Sequence, residues 1–282
     1  MRPESLAVIG LGAIGGSVAW QARRAGIPRV IGFTPDTSEG VRALKAGAVS
    51  DIAGSAERAV QGAQLVLIAA PPRATLELLA PLGRRLEDGA LLTDVASIKA
   101  PVMARAVAEG LGRVFAGGHP FAGTHGTGFD FARPDRFQGV VTYVCATGEP
   151  GGDDTARQVM HFWHSVLEAD PVLIDAGQHD RQLAWTSHLP QAVAYALAHT
   201  LGDRPLAGAS FASGARDTTR LAASSPELWI DIFLQNREPI VEALRRAETD
   251  LGALRAILEA GDEHALRAWL EHASAFRRGL DR

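Results

Sequence analysis

Leu6-Ala7-Val8-Ile9-Gly10-Leu11-Gly12-Ala13-Ile14-Gly15 is the stretch on which the reading of this chain turns. An apolar run of four residues bounded by glycine reads as a strand buried on both faces. The glycines that follow it open a helix over Ala13 to Ala25, which Gly26 closes at the position expected of a C-cap. A second apolar run, Val30 to Phe33, completes a βαβ unit. In that setting Gly10 permits the turn, Gly12 lets the backbone approach a pyrophosphate, and Gly15 lets the helix pack closely on the strand. Free N–H groups and the positive end of the helix dipole then face the phosphates. The stretch reads as a dinucleotide-binding loop with Gly10, Gly12, Ala13, Ile14 and Gly15 as cofactor contacts. A flavin, another nucleotide or a ligand-free tight turn are the alternatives.

Outward from this unit, short apolar runs keep alternating with helical stretches as far as about Asp175. They are Leu65 to Ala69, Leu91 to Val95, Val114 to Ala116, Val140 to Val144 and Pro171 to Ile174. Such alternation predicts a parallel sheet with crossover helices. From His179 the strands stop, and long helices are expected over His179 to Leu201, around Ser213 to Ala223, over Glu227 to Leu258 and over Glu263 to Phe276. The fold class is therefore α/β: a Rossmann-type doubly wound parallel sheet over residues 1–175, then an all-helical domain over residues 176–282. Leu228, Ile232, Leu251, Leu254, Ile257, Leu258, Leu266 and Leu270 supply more apolar surface than isolated helices bury, which predicts a homodimer.

Composition narrows the function. With 282 residues, 46% of them apolar and 21% charged, the chain has the make-up of a globular protein. Its 28 basic and 32 acidic residues leave a formal net charge of -4, too mild to point to nucleic acid or an anionic membrane as partner. Wholly apolar runs such as Leu65 to Ala70 fall far short of the roughly 20 residues that span a bilayer. Glu4 and the nearby glycines argue against a secretory segment. The lone cysteine, Cys145, reads as a strand residue and suits a reducing, cytoplasmic setting. No metal is expected, because the nine histidines include no pair with a neighbouring ligand at zinc spacing.

An NAD enzyme usually carries an acid at the end of the second strand, about 20 residues past the loop. Here Thr34 takes that place, Asp36 follows two residues later, and no arginine comes at once to bind a 2′-phosphate, so NAD or NADP both stay open. Thr34, Asp36, Ala70, Pro71 and Asp94 complete the candidate cofactor contacts. Past the fourth and fifth of these predicted strands come Thr93-Asp94-Val95-Ala96-Ser97-Ile98-Lys99 and Gly117-Gly118-His119-Pro120-Phe121-Ala122-Gly123. Open α/β sheets bind ligands at such carboxyl ends. There Ser97 and His119 are placed to meet beside a nicotinamide, where a histidine can take a hydroxyl proton while hydride leaves the same carbon. Taken alone, a His-Pro in a loop is more often structural. His179-Asp180 reads equally as a helix-start pair, and Lys99 either approaches the cofactor or starts a helix.

The segments Asp94 to Lys99, Gly118 to Gly123, His179-Asp180, Ser187-His188-Leu189-Pro190 and Arg216-Asp217-Thr218-Thr219-Arg220 come in the order seen in prephenate and arogenate dehydrogenases. The chain resembles that family from Gly10 to about Asn236. The resemblance implies a Rossmann domain followed by a helical dimerisation domain. It implies oxidative decarboxylation of a cyclohexadienyl ring in tyrosine biosynthesis, with His119 hydrogen-bonded to the ring hydroxyl and Ser97 orienting that histidine. It further implies His188 and Arg216 as substrate contacts, the arginine fork suiting a carboxylate. Substrate recognition is expected in the loop carrying Thr124 and His125, and His125 does not distinguish prephenate from arogenate. Tyrosine is a candidate inhibitor at the active site. The rival readings are a β-hydroxy acid dehydrogenase or imine reductase, or a non-catalytic dinucleotide sensor. A lysine on the first long helix, more usual in those enzymes, is absent between His179 and Leu201.

Overall fold

The computed structural model describes residues 2–123, 126–203 and 211–280. The opening apolar run is β1 (Ser5–Ile9), followed by β2 (Arg29–Phe33), β3 (Asp51–Ile52), β4 (Leu65–Ile68), β5 (Leu91–Asp94), β6 (Phe115–Pro120), β7 (Val141–Cys145) and β8 (Asp170–Leu173). They form one sheet in the order β3-β2-β1-β4-β5-β6-β7-β8. Helices α1 (Ala13–Arg24), α2 (Thr37–Lys45), α3 (Ala56–Val60), α4 (Pro72–Gly83), α5 (Ala100–Ala108) and α6 (Gly152–Ser165) connect the strands. The strand order reverses between β1 and β4, so the crevice above their carboxyl ends is the expected ligand position.

Alternation along β1 fills both faces. Leu6 and Val8 pack with Val18, Phe162 and Trp163 on one side, while Ala7 and Ile9 pack with Val66, Leu79, Leu82 and Val102 on the other. The sheet departs from the all-parallel expectation at one joint. β6 and β7 are antiparallel, with His119 opposite Tyr143 and Gly117 opposite Cys145. Among the described residues their connection carries a short 3-10 turn, Phe129–Phe131, and no crossover helix, and the chain returns in the reverse direction. The two-residue β3 was not expected because Asp51-Ile52 offers no apolar run.

The later helices are α7 (Ala176–Leu183), α8 (Leu189–Gly202), α9 (Ser213–Thr219), α10 (Pro226–Gln235), α11 (Arg237–Ala260) and α12 (Glu263–Gly279). Two of the long helices expected from sequence are each broken. A π-helical turn, Ala184–His188, separates α7 from α8. Pro190 has no N–H to give to the carbonyl one turn back, and the backbone widens ahead of it. Asn236 interrupts the other helix, three residues before Pro239.

The chain divides into two compact units, one running to Leu183 and including Ala223–Asn236, the other made of Ala184–Ala222 and Arg237–Arg282. In the first, α10 returns to α4, where the Arg73 N–H donates to Asp231 Oδ2 at 3.2 Å. In the second, Gln191 Nε2 donates to the Leu221 carbonyl at 2.7 Å and Ala194, Ile240 and Ala243 are buried. Leu251, Leu258, Leu270 and Phe276 of α11 and α12 stay exposed. Among the described residues, no helix is long and apolar enough to cross a membrane.

Candidate active site

At the end of β1 the backbone itself builds the first half of the site. Gly10 has φ +101°, and a Cβ there would lie 2.2 Å from the Ala69 carbonyl oxygen. A Cβ at Gly15 would lie 1.9 Å from the Gly10 carbonyl oxygen, so the strand-to-helix turn closes only with glycine at both positions. Gly12 differs. A Cβ there would meet no atom within 4 Å, and Gly12 caps α1 without a side chain. No acid occupies the first turn of α1, so the leading N–H groups of Ala13, Ile14 and Gly15 present a positive end to an anion. These residues fit a dinucleotide pyrophosphate.

The end of β2 is already engaged. Thr34 is buried and its hydroxyl donates to Glu39 Oε2 at 3.2 Å, while Glu39 Oε1 accepts from the Phe129 N–H at 3.2 Å. Asp36 caps α2, accepting from the Ser38 hydroxyl at 2.6 Å and the Ser38 N–H at 2.8 Å. Those two bonds, the hydroxyl first, hold the Asp36 carboxyl below its ordinary value. Glu39 was not among the sequence candidates, although an acid in the first turn after the second strand was the signal for it. The segment between β6 and β7 is tied to α1 and α2 by the Arg133 N–H on Ser17 Oγ at 2.9 Å and by Arg42 on Asp130 at 3.1 Å. Ala70 and Pro71 follow β4, Pro71 preceding α4 and Thr75 bonding the Ala70 carbonyl at 3.1 Å.

The second half of the site is assembled from side chains. β6 ends at His119-Pro120, and His119 Nδ1 lies 2.9 Å from His179 Nε2 of α7. His179 Nδ1 lies 2.7 Å from Asp180 Oδ1. Asp180 in turn accepts the Lys99 N–H on Oδ1 and the Ala100 N–H on Oδ2, both at 2.8 Å, so its carboxylate meets the first N–H groups of α5. Asn236, where α10 ends, donates to the Asp180 carbonyl at 2.8 Å. Lys99 is fully buried, and its Nζ reaches Asp94 Oδ2 at 2.5 Å and the Gly118 carbonyl at 2.8 Å. Asp94 also accepts from the N–H groups of Gly118 at 3.1 Å and Ala96 at 3.0 Å. Phe121 and Tyr143 stand edge-on to the two histidines, and Gln182 donates to the Tyr143 hydroxyl at 2.7 Å. A histidine engaged internally through Nδ1 has its ring orientation fixed by that bond.

Of the sequence candidates, His119 and Asp94 come together here, and the Asp94 carboxylate is committed to Lys99, Gly118 and Ala96. Ser97 lies half-buried in the loop from β5 to α5. His188, buried at the end of the π turn, and Arg216, exposed on α9, belong to the second unit. Thr124 and His125 lie outside the described residues. Cys145 is buried in β7, and that burial pushes its thiol up to about 12, which leaves it inert as a nucleophile. In the sequence His179-Asp180 is one of the family segments and equally a helix-start pair, with no role assigned to either residue, and Asn236 marks only the end of the resemblance.

The family model for the prephenate dehydrogenase nucleotide-binding domain matches residues 18–173, and that for the prephenate dehydrogenase dimerization domain matches residues 175–272. A prephenate dehydrogenase of Bacillus subtilis (strain 168) is 32% identical, over 98% of this chain and 76% of its own. A cyclohexadienyl dehydrogenase of Zymomonas mobilis subsp. mobilis is 32% identical over 95% of this chain and 92% of its own. The structure of prephenate dehydrogenase from A. aeolicus in complex with hydroxyphenyl propionate and NAD+ is similar, with a TM-score of 0.87, 26% identity and coverage of 98% of each chain.

Proposed function

This chain belongs to the prephenate dehydrogenase family, and from that premise we propose that it carries out the NAD(P)-dependent oxidative decarboxylation of prephenate, arogenate or both, in tyrosine biosynthesis. The observation that carries the proposal is His119, which stands at the end of β6 with Nδ1 held internally, on the same sheet as the glycine loop.

Gly10, Gly12 and Gly15 with the first turn of α1 would hold the pyrophosphate, and Thr34, Asp36 and Glu39 would border the adenosine ribose. Ala70 and Pro71 follow β4 and Asp94 ends β5, at the carboxyl ends where the cofactor would lie. When bound, the nicotinamide supplies the hydride acceptor. His119 accepts a hydrogen bond from the ring hydroxyl, and Ser97 orients the pair. As C4 of the ring gives up hydride, its hydroxyl becomes a carbonyl and its proton passes to His119 Nε2. The ring carboxylate then leaves as carbon dioxide, its electron pair completes the aromatic ring, and His119 returns the proton to the same oxygen. Substrate has lost one hydride and one carbon dioxide, and the phenol keeps its proton.

His188, Arg216, Thr124 and His125 are retained as substrate contacts on the strength of the family motifs. The unit carrying α11 and α12 is assigned to homodimerisation, which would cover Leu251, Leu258, Leu270 and Phe276. Tyrosine is proposed as a competitive inhibitor, because hydroxyphenyl propionate is tyrosine without its amino group. A cytoplasmic reaction is part of the proposal and accords with the free, buried Cys145.

The test is reduction of NAD and of NADP by the purified protein with prephenate and with arogenate. Turnover in one combination is expected, and failure in all four overturns the proposal. His119→Asn should lower kcat by about 10²–10⁴-fold while leaving cofactor affinity unchanged.

A further inference from the structure

His179 and Asp180 carry no part in the reaction proposed above, yet both are buried, with His179 against His119. Their hydrogen bonds have a direction. Backbone N–H groups can only donate, and Lys99 and Ala100 place one on each oxygen of Asp180. Asp180 is thus an acceptor toward His179 as well, and His179 carries its proton on Nδ1. A neutral His179 with a proton on Nδ1 has a lone pair on Nε2, the atom that faces His119 Nδ1 at 2.9 Å. His119 must then donate from Nδ1, which makes Nε2 its unprotonated nitrogen.

We infer that Asp180 and His179 are positioning residues that fix the tautomer of His119, so that Nε2 is always the proton-accepting atom and the imidazolium formed in turnover is held against a carboxylate. The inference rests on the reaction proposed above for its consequence, but its structural content stands apart from any substrate. While His119 holds the borrowed proton on Nε2, its Nδ1–H stays on His179 and the charge is balanced two residues away by Asp180. No proton leaves the chain, because the one taken from the hydroxyl returns to the same oxygen. A role confined to packing would leave the choice of tautomer unspecified.

Asp180→Ala removes this device. Asp180 Oδ1 accepts both the Lys99 N–H and the His179 Nδ1–H, and alanine offers no acceptor, so the proton of His179 is no longer held on Nδ1 and the tautomer of His119 is no longer fixed. The experiment uses two-bond proton–nitrogen NMR on the full chain, with the His119 signals assigned by their loss in His119→Asn. Expected are an Nδ1–H tautomer at His119 in the natural protein and a mixture of the two tautomers in Asp180→Ala, with kcat lowered about tenfold or more and KM little changed. An unmixed Nδ1–H tautomer, or an unchanged kcat, in a folded Asp180→Ala protein overturns the inference.

Asp180 also anchors α5, so a second pair of variants covers a failure to fold. His179→Gln keeps an acceptor for His119 Nδ1 and His179→Leu does not. The glutamine variant should retain about tenfold or more of kcat over the leucine variant, and equal activities overturn the inference. The spectra need no substrate, so a natural protein that turns over neither prephenate nor arogenate, yet shows the expected tautomers, would sink the proposed reaction and spare the relay.

Discussion

The glycine loop after β1 and the histidine cluster after β6 stand at carboxyl ends of the same sheet, but they are made in opposite ways. The loop is backbone from one continuous segment, shaped by missing side chains at Gly10 and Gly15. The cluster is side chains from four separated segments, with Asp94 and Lys99, His119, His179 and Asp180, and Asn236 meeting in a buried network. A local device needs only local rules, whereas a buried polar network stands only if every member is satisfied. Damage should therefore spread differently in the two regions.

The largest effect is expected at Lys99. Lys99→Met leaves Asp94 buried without its cation, and losing one partner of a buried pair costs about 3–5 kcal/mol. Urea denaturation should show that loss, and Lys99→Met combined with Asp94→Asn should recover part of it. If the single variant were as stable as the natural protein, the cluster would not be the cooperative network described above.

Gly15→Ala sharpens the contrast from the other side. Its Cβ would fall 1.9 Å from the Gly10 carbonyl oxygen, and the loop must shift to admit it. Overpacking of this kind costs about 1–3 kcal/mol, and cofactor affinity should fall with it. Denaturation and NAD titration check this. The His119 tautomer should stay as it is, since no group of the relay touches Gly15.

The same contrast explains what the sequence made legible. The loop, α1 and the parallel run of β1, β2, β4 and β5 were readable because apolar runs, glycine spacing and strand ends are all local signals. The antiparallel β6–β7 joint was not, because it goes with a connection whose described residues form no crossover helix. β3 was invisible for want of an apolar run, and the breaks at Ala184–His188 and Asn236 depend on Pro190 and Pro239 acting inside otherwise good helices. His119 was found through its place after a strand. Its partners were seen as letters but not as partners, since a hydrogen bond from Lys99 to Asp180 spans 81 positions. No periodicity reports a contact of that length. Lys99 illustrates the point, because a buried lysine runs against its usual exposure and only the assembled fold supplies the Asp94 that makes it tolerable.

Two aspartates condense the comparison, since Asp36 and Asp180 both accept from the first N–H groups of a helix. Asp36 caps its own helix from outside, through Ser38 two residues on, and is exposed. Asp180 serves α5 from a distant segment and is buried. Asp36→Ala should thus give the smallest loss of stability of the three variants considered, with His119 chemistry untouched. The loss also carries a pH signature. The Ser38 bonds lower the folded pKa of Asp36 below its ordinary 3.8, so the cap contributes fully above that value and fades as pH falls through the lower, folded one. Asp36→Asn keeps an acceptor that does not titrate. Its melting temperature should match the natural protein at neutral pH and fall less on acidification below 3.8. Identical acid profiles for the two would mean that Asp36 does not carry its carboxylate into the cap, and a loss in Asp36→Ala as large as that in Lys99→Met would remove the distinction between the local and the assembled halves of the site.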